Sequence, residues 1–291
     1  MNNTITAAFV TQFHDSFVAA NEQKESRLES RVTNRGSITG SSFTANDMGT
    51  VEMNQVVNRY GDTEWTLPDV GTRQALMADY DLAVPIDSKD LPKLLANPQG
   101  DYLQRCLAAA GRKKDEVIYN AIRGAALRKT DEQGAFAGVN LPAGQIITAG
   151  GTGMGKAKLI LAKKLFRANE ADEHNGEELY MAYDSGMLED ILADTTLTSA
   201  DYMAVKMLQE GDISGKWLGF NWVPYERLAG TTTKTTAAWA KSGVHMGTGE
   251  NVTTDIGPRR DKRNLVQIYI ALSLAAVRVN EAKAVTIDYV V

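Results

Sequence analysis

The chain has 291 residues, 43% of them hydrophobic, enough to bury one or two ordinary cores and too many for a disordered protein. Its formal net charge of −5 argues against a DNA-wrapping surface, which needs a basic excess on one face, so any nucleic acid nearby is expected to be enclosed rather than gripped. No apolar run reaches membrane-spanning length, and no basic residues precede an apolar stretch at Met1–Thr4. From these two features neither a membrane anchor nor a secretory leader is expected, and the single cysteine, Cys106, excludes an internal disulfide and suits a reducing compartment.

From Thr4 to about Ser30 the spacing predicts an amphipathic helix. Phe9, Phe13 and Phe17 fall four apart with Val10 and Val18 alongside, an apolar stripe for the parent domain or for a neighbour. The following Glu22–Arg27 reads as charged and solvated.

Between Arg31 and Arg59 only nine of 29 residues are apolar, scattered among Gly, Ser, Thr and Asn, which predicts extended chain with too little surface for a core of its own. The chain turns near Gly61-Asp62 and returns through Trp65. Leu76, Ala78, Tyr80, Leu82 and Val84 then alternate with other residues, the period-2 pattern of a strand with one covered face. Out, turn and back predict a long β-hairpin whose partner lies on another molecule.

The strongest helix signal runs from Asp101 to Leu127, a rod of roughly 40 Å at 1.5 Å per residue, with Gly111 and Gly124 as weak points and Asp101 as its cap. A Gly-rich loop leads into a second helix, about Met154–Ala171. Beyond it the pattern is mixed: a buried strand at 178–183, helices at 187–193 and 200–209, strands at 217–223 and 237–246, and a Thr-rich loop at 230–236. An alternating tail from Asn264 to Tyr289 follows.

The catalytic inventory is nearly empty. Gly150–Lys156 has the spacing of a phosphate-cradling loop, but Ala157 stands where a metal-ligating hydroxyl is needed, so it reads as a loop entering a helix. His14, His174 and His245 are far apart, and His174 sits in an acidic stretch that reads as solvated. Ser242 lacks the Gly-x-Ser-x-Gly setting, and Cys106 lies on the apolar stripe of the long helix as a small core residue. No cofactor or metal is expected. The contact candidates are Trp65 near the hairpin turn and the basic cluster Arg259, Arg260, Lys262 and Arg263 around Asp261, with Phe13 on the N-terminal stripe.

The order of these elements resembles the HK97-fold major capsid proteins of tailed bacteriophages. The resemblance is carried by Ser199-Ala200-Asp201-Tyr202, Gly211, Leu218-Gly219-Phe220, Glu226-Arg227-Leu228, Ala238–Gly243, the Arg260-Asp261-Lys262 stretch, and Leu141–Gln145 ahead of the Gly-rich loop. It implies an α+β, HK97-like fold with an N-terminal arm (1–30) and an E-loop hairpin with flanking strands (31–87). A P-domain (88–145) would hold a spine helix near 101–127, followed by an A-domain (146–235) and returning strands (236–291).

The implied function is a major capsid protein that self-assembles into pentamers and hexamers of an icosahedral head around double-stranded DNA, without sequence-specific binding. It would be made in the host bacterial cytoplasm and reside in the virion. Its partners would be its own copies, with a separate scaffolding protein, a portal and a decoration or cement protein as further ones. No fused scaffolding segment is expected ahead of the arm, and no residue matches the Lys-Asn crosslink chemistry of some members. Two alternatives stay open: an encapsulin-like shell holding cargo enzymes, and a nucleotide-binding enzyme built on Gly150–Lys156.

Overall fold

A computed structural model describes residues 22–55, 61–63, 65–86, 99–193, 213 and 216–291. In chain order these form β1 (Thr33–Ser37), β2 (Ser42–Met48), β3 (Val70–Leu76), β4 (Ala78–Ile86), α1 (Gln99–Arg123), β5 (Ala126–Lys129), β6 (Ala137–Val139) and β7 (Ile146–Ile147). Then follow α2 (Lys156–Ala168), β8 (Leu179–Tyr183), α3 (Ser185–Ala193), β9 (Lys216–Trp217), β10 (Phe220–Pro224), β11 (Thr233–Ala240), β12 (Val244–Arg259), β13 (Leu265–Arg278) and β14 (Ala284–Val290).

The strands build three sheets. A six-stranded mixed sheet, β7-β14-β11-β8-β10-β9, holds the main core. All five residues of β8 are buried, as are Trp239 of β11 and Val285, Ile287 and Tyr289 of β14, against Leu159, Phe166 and Met187 of α2 and α3. A continuous apolar run of this kind is what a strand covered on both faces requires. The second sheet, β1-β12-β13-β4, is long and narrow, dominated by the antiparallel pair β12 and β13. Ile268, Ile270, Leu272 and Leu274 of β13 alternate into its covered face, where α1 packs, and Cys106 lies there with Ile86, Ile268 and Ile270 as a small core residue. The third sheet, β2-β3-β5-β6, is small and antiparallel.

Several expectations are corrected. The strand at 78–86 does alternate, but its partner is β13, in register Val84↔Ile268 and Tyr80↔Leu272, rather than the outgoing arm of the hairpin. The hairpin closes earlier, through β2 and β3, from Ser42↔Leu76 to Met48↔Val70. Alternation reports that one face is covered and carries no information about which strand lies alongside. The long helix ends at Arg123, four residues before the expected Leu127, because the chain turns at Gly124 and Ala126 begins β5.

The stretch 217–223 is two strands rather than one. Leu218 (φ 52°) and Gly219 (φ 80°) both take the left-handed conformation of a type I′ turn, so β9 folds back on β10. Likewise 237–246 divides at a 3-10 turn over Lys241–Gly243, so that β11 and β12 belong to different sheets, and part of the Thr-rich loop is already β11 from Thr233. Of the helix predicted from Thr4 to about Ser30, the part up to residue 21 lies outside the described residues, as does the predicted helix over 200–209.

Residues 22–28 are neither helical nor simply solvated, and only a single 3-10 turn follows at Glu29–Arg31. Fully buried Asp115 of α1 accepts hydrogen bonds from Ser26 Oγ (2.6 Å), Arg27 N (3.1 Å) and Leu28 N (2.9 Å), and Leu28 is buried beneath them. Arg112 donates to Glu22 (2.7 Å) and Lys114 to Glu29 (3.0 Å). Gly111 is small for this reason: a Cβ there would stand 3.0 Å from Ser26 N.

Candidate functional site

The sequence points to the hairpin, and its geometry has two parts. At the base, Phe43, Ala45 and Ala75 pack with Ala126, Ala275, Val277 and Val279, joining the small sheet to the end of β13. The inward face of β3 also carries Arg73, which is buried and donates through Nε and Nη2 to Asp47 Oδ2 (3.1 Å each) and through Nη2 to Glu281 Oε2 (2.6 Å). Arg128 of β5 bridges Asp47 and Asp69, at 2.9 Å to each. The hydrogen bond to Asp69, against the cost of burial and with help from Asp47, raises the Arg128 pKa. Paired carboxylates and guanidiniums in a partly dry joint hold geometry more than they add net stability.

Arg278, at the end of β13, is fully buried and completes the joint. Its Nη1 donates to Ile122 O and Gly124 O (2.7 Å each) at the end of α1, and its Nη2 to Val139 O of β6 (3.1 Å). Glu281 lies 3.7 Å from its Nε. Burial lowers its pKa, with Glu281 acting in the opposite sense. A cation at a helix C-terminus satisfies carbonyls that have no partner within the helix. One guanidinium thereby ties the helix, β6 and the hairpin joint together.

The other end of the hairpin is bare. Met53 is 101% exposed, Trp65 88% and Leu67 84%, and Met48, Val51 and Val70 are exposed with them. Six large apolar side chains facing solvent over one short segment form the kind of surface that marks an interaction site.

The basic cluster sits at the turn between β12 and β13, where Arg263 and Asn264 have φ of 56° and 58°. Arg259 is already engaged within its own chain: Nε and Nη2 pair with both oxygens of Asp261 (2.8 and 2.7 Å), and Nη1 reaches Gln267 (3.0 Å). The guanidinium hydrogen bond holds the Asp261 carboxyl down, at about 2. Arg260 and Arg263 are exposed, and their side chains have no partner among the described residues. Phe13 and His14 lie outside the described residues.

The Gly-rich loop is filled from within. Gly150 and Gly151 take positive φ, and the Met154 amide donates to Asp190 Oδ2 (2.7 Å), placing a carboxylate where a phosphate-binding loop needs an anion from outside. Lys158, not Lys156, reaches back, to Thr152 O and Asp288 O (2.8 and 3.0 Å). The acids around His174 are matched by their own cations: Arg167 with Asp172 (2.7 Å), and Lys163 with Glu173. Ser242 lies between Glu177 (2.7 Å) and Lys283 (2.7 Å), themselves an ion pair at 2.5 Å. Among the described residues no group of three or more His, Cys, Asp or Glu is placed to hold a metal.

Asp184 was not singled out in the sequence. It is fully buried and accepts from Met187 N (2.8 Å), Lys234 Nζ (2.5 Å) and Tyr289 Oη (2.5 Å). Burial alone raises its pKa, and these three donors bring it below the ordinary value. Its position just before α3 is the signal that identifies it, as a helix cap.

His245 at the start of β12 accepts from Arg35 Nε of β1 (3.1 Å). Burial, then the charge of Arg35, holds its pKa at about 4 against an ordinary 6.5; a backbone hydrogen bond at Ser242 acts in the opposite sense, and the charge of Lys283 adds to the depression. The neutral imidazole is favoured in the folded state, so its stabilisation is present above pH 6.5 and is lost as pH falls towards 4, up to about 3 kcal/mol at ~1.4 kcal/mol per pH unit. The urea midpoint of the wild-type protein is expected to fall over that window by more than that of His245→Gln. Parallel curves would show that His245 is not coupled to folding.

The profile of a family described as phage capsid protein matches residues 5–291. No curated protein matches the sequence. Solved structures with similar folds include one from Mycobacterium phage Che8, with a TM-score of 0.68 at 12% identity over 95% of this chain and 96% of that one. The capsid of a native GTA particle gives 0.71 at 10% identity over 97% and 95%. The cyanophage Pam1 capsid gives 0.71 at 11% over 98% and 97%.

Proposed function

Because this chain belongs to the phage capsid protein family, has the HK97-like fold and builds the shell of a phage head, we propose that its copies meet as pentamers and hexamers of an icosahedral capsid enclosing double-stranded DNA. The observation that carries this reading is the hairpin: a base locked by Arg73, Asp47, Arg128 and Glu281, and a tip whose apolar side chains have no cover among the described residues. A rigid base fixes direction, and the exposed tip supplies surface that is buried only on a second copy. In this reading the role is structural rather than catalytic.

The domain assignment proposed from sequence keeps its order: arm 1–30, E-loop and flanking strands 31–87, P-domain 88–145, A-domain 146–235 and returning strands 236–291. Strand register supports Ser42–Leu76 as the E-loop itself, with β1 and β4 flanking it in the long sheet. Trp65 would anchor on the adjacent subunit. Arg260 and Arg263 are better placed than Arg259 to meet acidic residues of a neighbour, since Arg259 is held by Asp261. Phe13 would serve on the arm. Synthesis in the host bacterial cytoplasm, and a separate scaffolding protein, portal and decoration or cement protein, complete the proposal.

The test is electron microscopy of particles from the native source combined with nuclease-protected DNA content. Closed icosahedral shells holding protected double-stranded DNA are expected. Shells filled with protein cargo and lacking DNA would overturn the genome-enclosing reading in favour of a cargo shell.

A further inference from the structure

A groove of about 350 Å³ opens between the middle of α1 and the paired strands β4 and β13. Cys106, Ala110, Ile270 and Leu272 line it, and Asp79, Asp81 and Lys113 stand among its polar residues, with Lys113 held 4.7 Å over the Tyr80 ring. Leu82 in the groove and Leu107 on the same stretch of α1 remain open to solvent. An apolar groove with a few charges is suited to receive an amphipathic segment.

The path of the chain identifies the segment. Leu28 and Ser26 are held at Asp115, whereas Glu22 and the Gln23 carbonyl are held at Arg112. Stepping back along the chain from Asp115 to Arg112 therefore moves towards Cys106 along α1 and, at about 100° of turn per residue, from the helix face opposite the groove round towards its Ala109 edge. The Glu22 carboxylate is near enough to Cys106 to add to the rise that burial produces in its thiol pKa. From Arg112 to Cys106 is six residues of helix, about 9 Å, while the 21 residues ahead of Glu22 would span about 30 Å as a helix.

That segment has no Lys or Arg and a single acid, Asp15, and its Phe9, Phe13 and Phe17 recur at four-residue steps. His14, its one basic side chain, suits a groove carrying Asp79 and Asp81, which make no ion pair among the described residues. We infer that residues 1–21 dock through the Phe9, Phe13 and Phe17 stripe into the α1–β4–β13 groove of their own chain. The docked segment would cover the groove as a continuation of the 22–29 clasp. This inference stands apart from the shell reading, since it concerns a contact within one chain.

Cysteine placed in turn at Phe9, Phe13 and Phe17, each with Leu82→Cys and with Cys106→Ser removing the native thiol, tests it. A short bismaleimide applied to the native protein is expected to link at least one of the three pairs within a chain, giving a compacted band at monomer mass on a denaturing gel. A dimer band as the dominant product would place the segment in a neighbour's groove and overturn docking within the chain. No link from any of the three positions would overturn the site altogether. As a second readout, Phe9→Ser/Phe13→Ser/Phe17→Ser is expected to raise the labelling rate of Leu82→Cys at least threefold, and an unchanged rate counts against the inference.

Discussion

Replacing residues 50–68 with a short Gly-Ser turn is expected to leave a folded subunit that no longer closes into shells. The cut spares the pairing of β2 with β3 and every member of the charged joint, because Asp47, Asp69, Arg73 and Arg128 all lie outside it. What it removes is exposed: Val51, Met53, Trp65 and Leu67 join no core among the described residues. On a second copy each such side chain is worth about 1.5–3 kcal/mol when fully covered. The subunit's thermal midpoint should therefore change little, while closed particles disappear from sedimentation profiles and micrographs. Trp65→Ala should act in the same direction, as a several-fold loss of particle yield, since a large aromatic near the centre of an interface carries a disproportionate share of its energy. Normal particles from the shortened chain would show that the hairpin tip is not the assembly element.

Arg278→Ala should have the largest effect on folding. The substitution leaves Ile122 O, Gly124 O and Val139 O without their donor and leaves Glu281 with Arg73 as its remaining partner. The Glu281 contact at 3.7 Å is too long for a hydrogen bond, so the cost lies in the three carbonyls, at about 1–3 kcal/mol for each buried acceptor left unsatisfied. That is a large share of the roughly 5–15 kcal/mol that keeps an ordinary domain folded. Arg278→Lys keeps the charge but cannot serve carbonyls on two elements and a carboxylate from one planar fork, so an intermediate loss is expected. Urea unfolding in the shortened-hairpin background measures the subunit without the contribution of the shell. A loss below 1 kcal/mol would mean that water replaces the guanidinium and that the joint does not depend on it.

Much of the fold is legible in the sequence wherever side-chain periodicity carries it. Ile268, Ile270, Leu272 and Leu274 announce a strand with one covered face, and the recurring apolar residues of 101–123 announce the helix that covers it. Partnership is a different matter. The same alternation at 78–86 fits pairing with the outgoing hairpin arm or with β13, and only packing selects β13. Leu218 gives no warning of a tight turn, since a positive φ is rare for leucine and Gly219 alone is a weak marker.

For the candidate site the division is similar. A polar stretch with no private core already pointed to the hairpin, and Trp65 stood out as its anchor. Arg73, Arg278 and Asp115 did not stand out, because a charged residue in sequence is by default a surface residue, and each is buried only by its partners from distant segments. Glu22–Arg27 reads as solvated for the same reason, its partners on α1 being about 90 positions away.

The sequence by itself determined that this chain has a rod-like helix, a strand-rich body and an extended excursion it cannot bury, since all three follow from local composition and period. The tertiary structure decided where that excursion is anchored and which of its residues stay bare. Long-range ion pairs at Arg73 and Arg128, with the hydrogen bonds from Arg278 to Ile122, Gly124 and Val139, fix the base of the hairpin, and the absence of any covering element within the described chain leaves its tip for a second molecule.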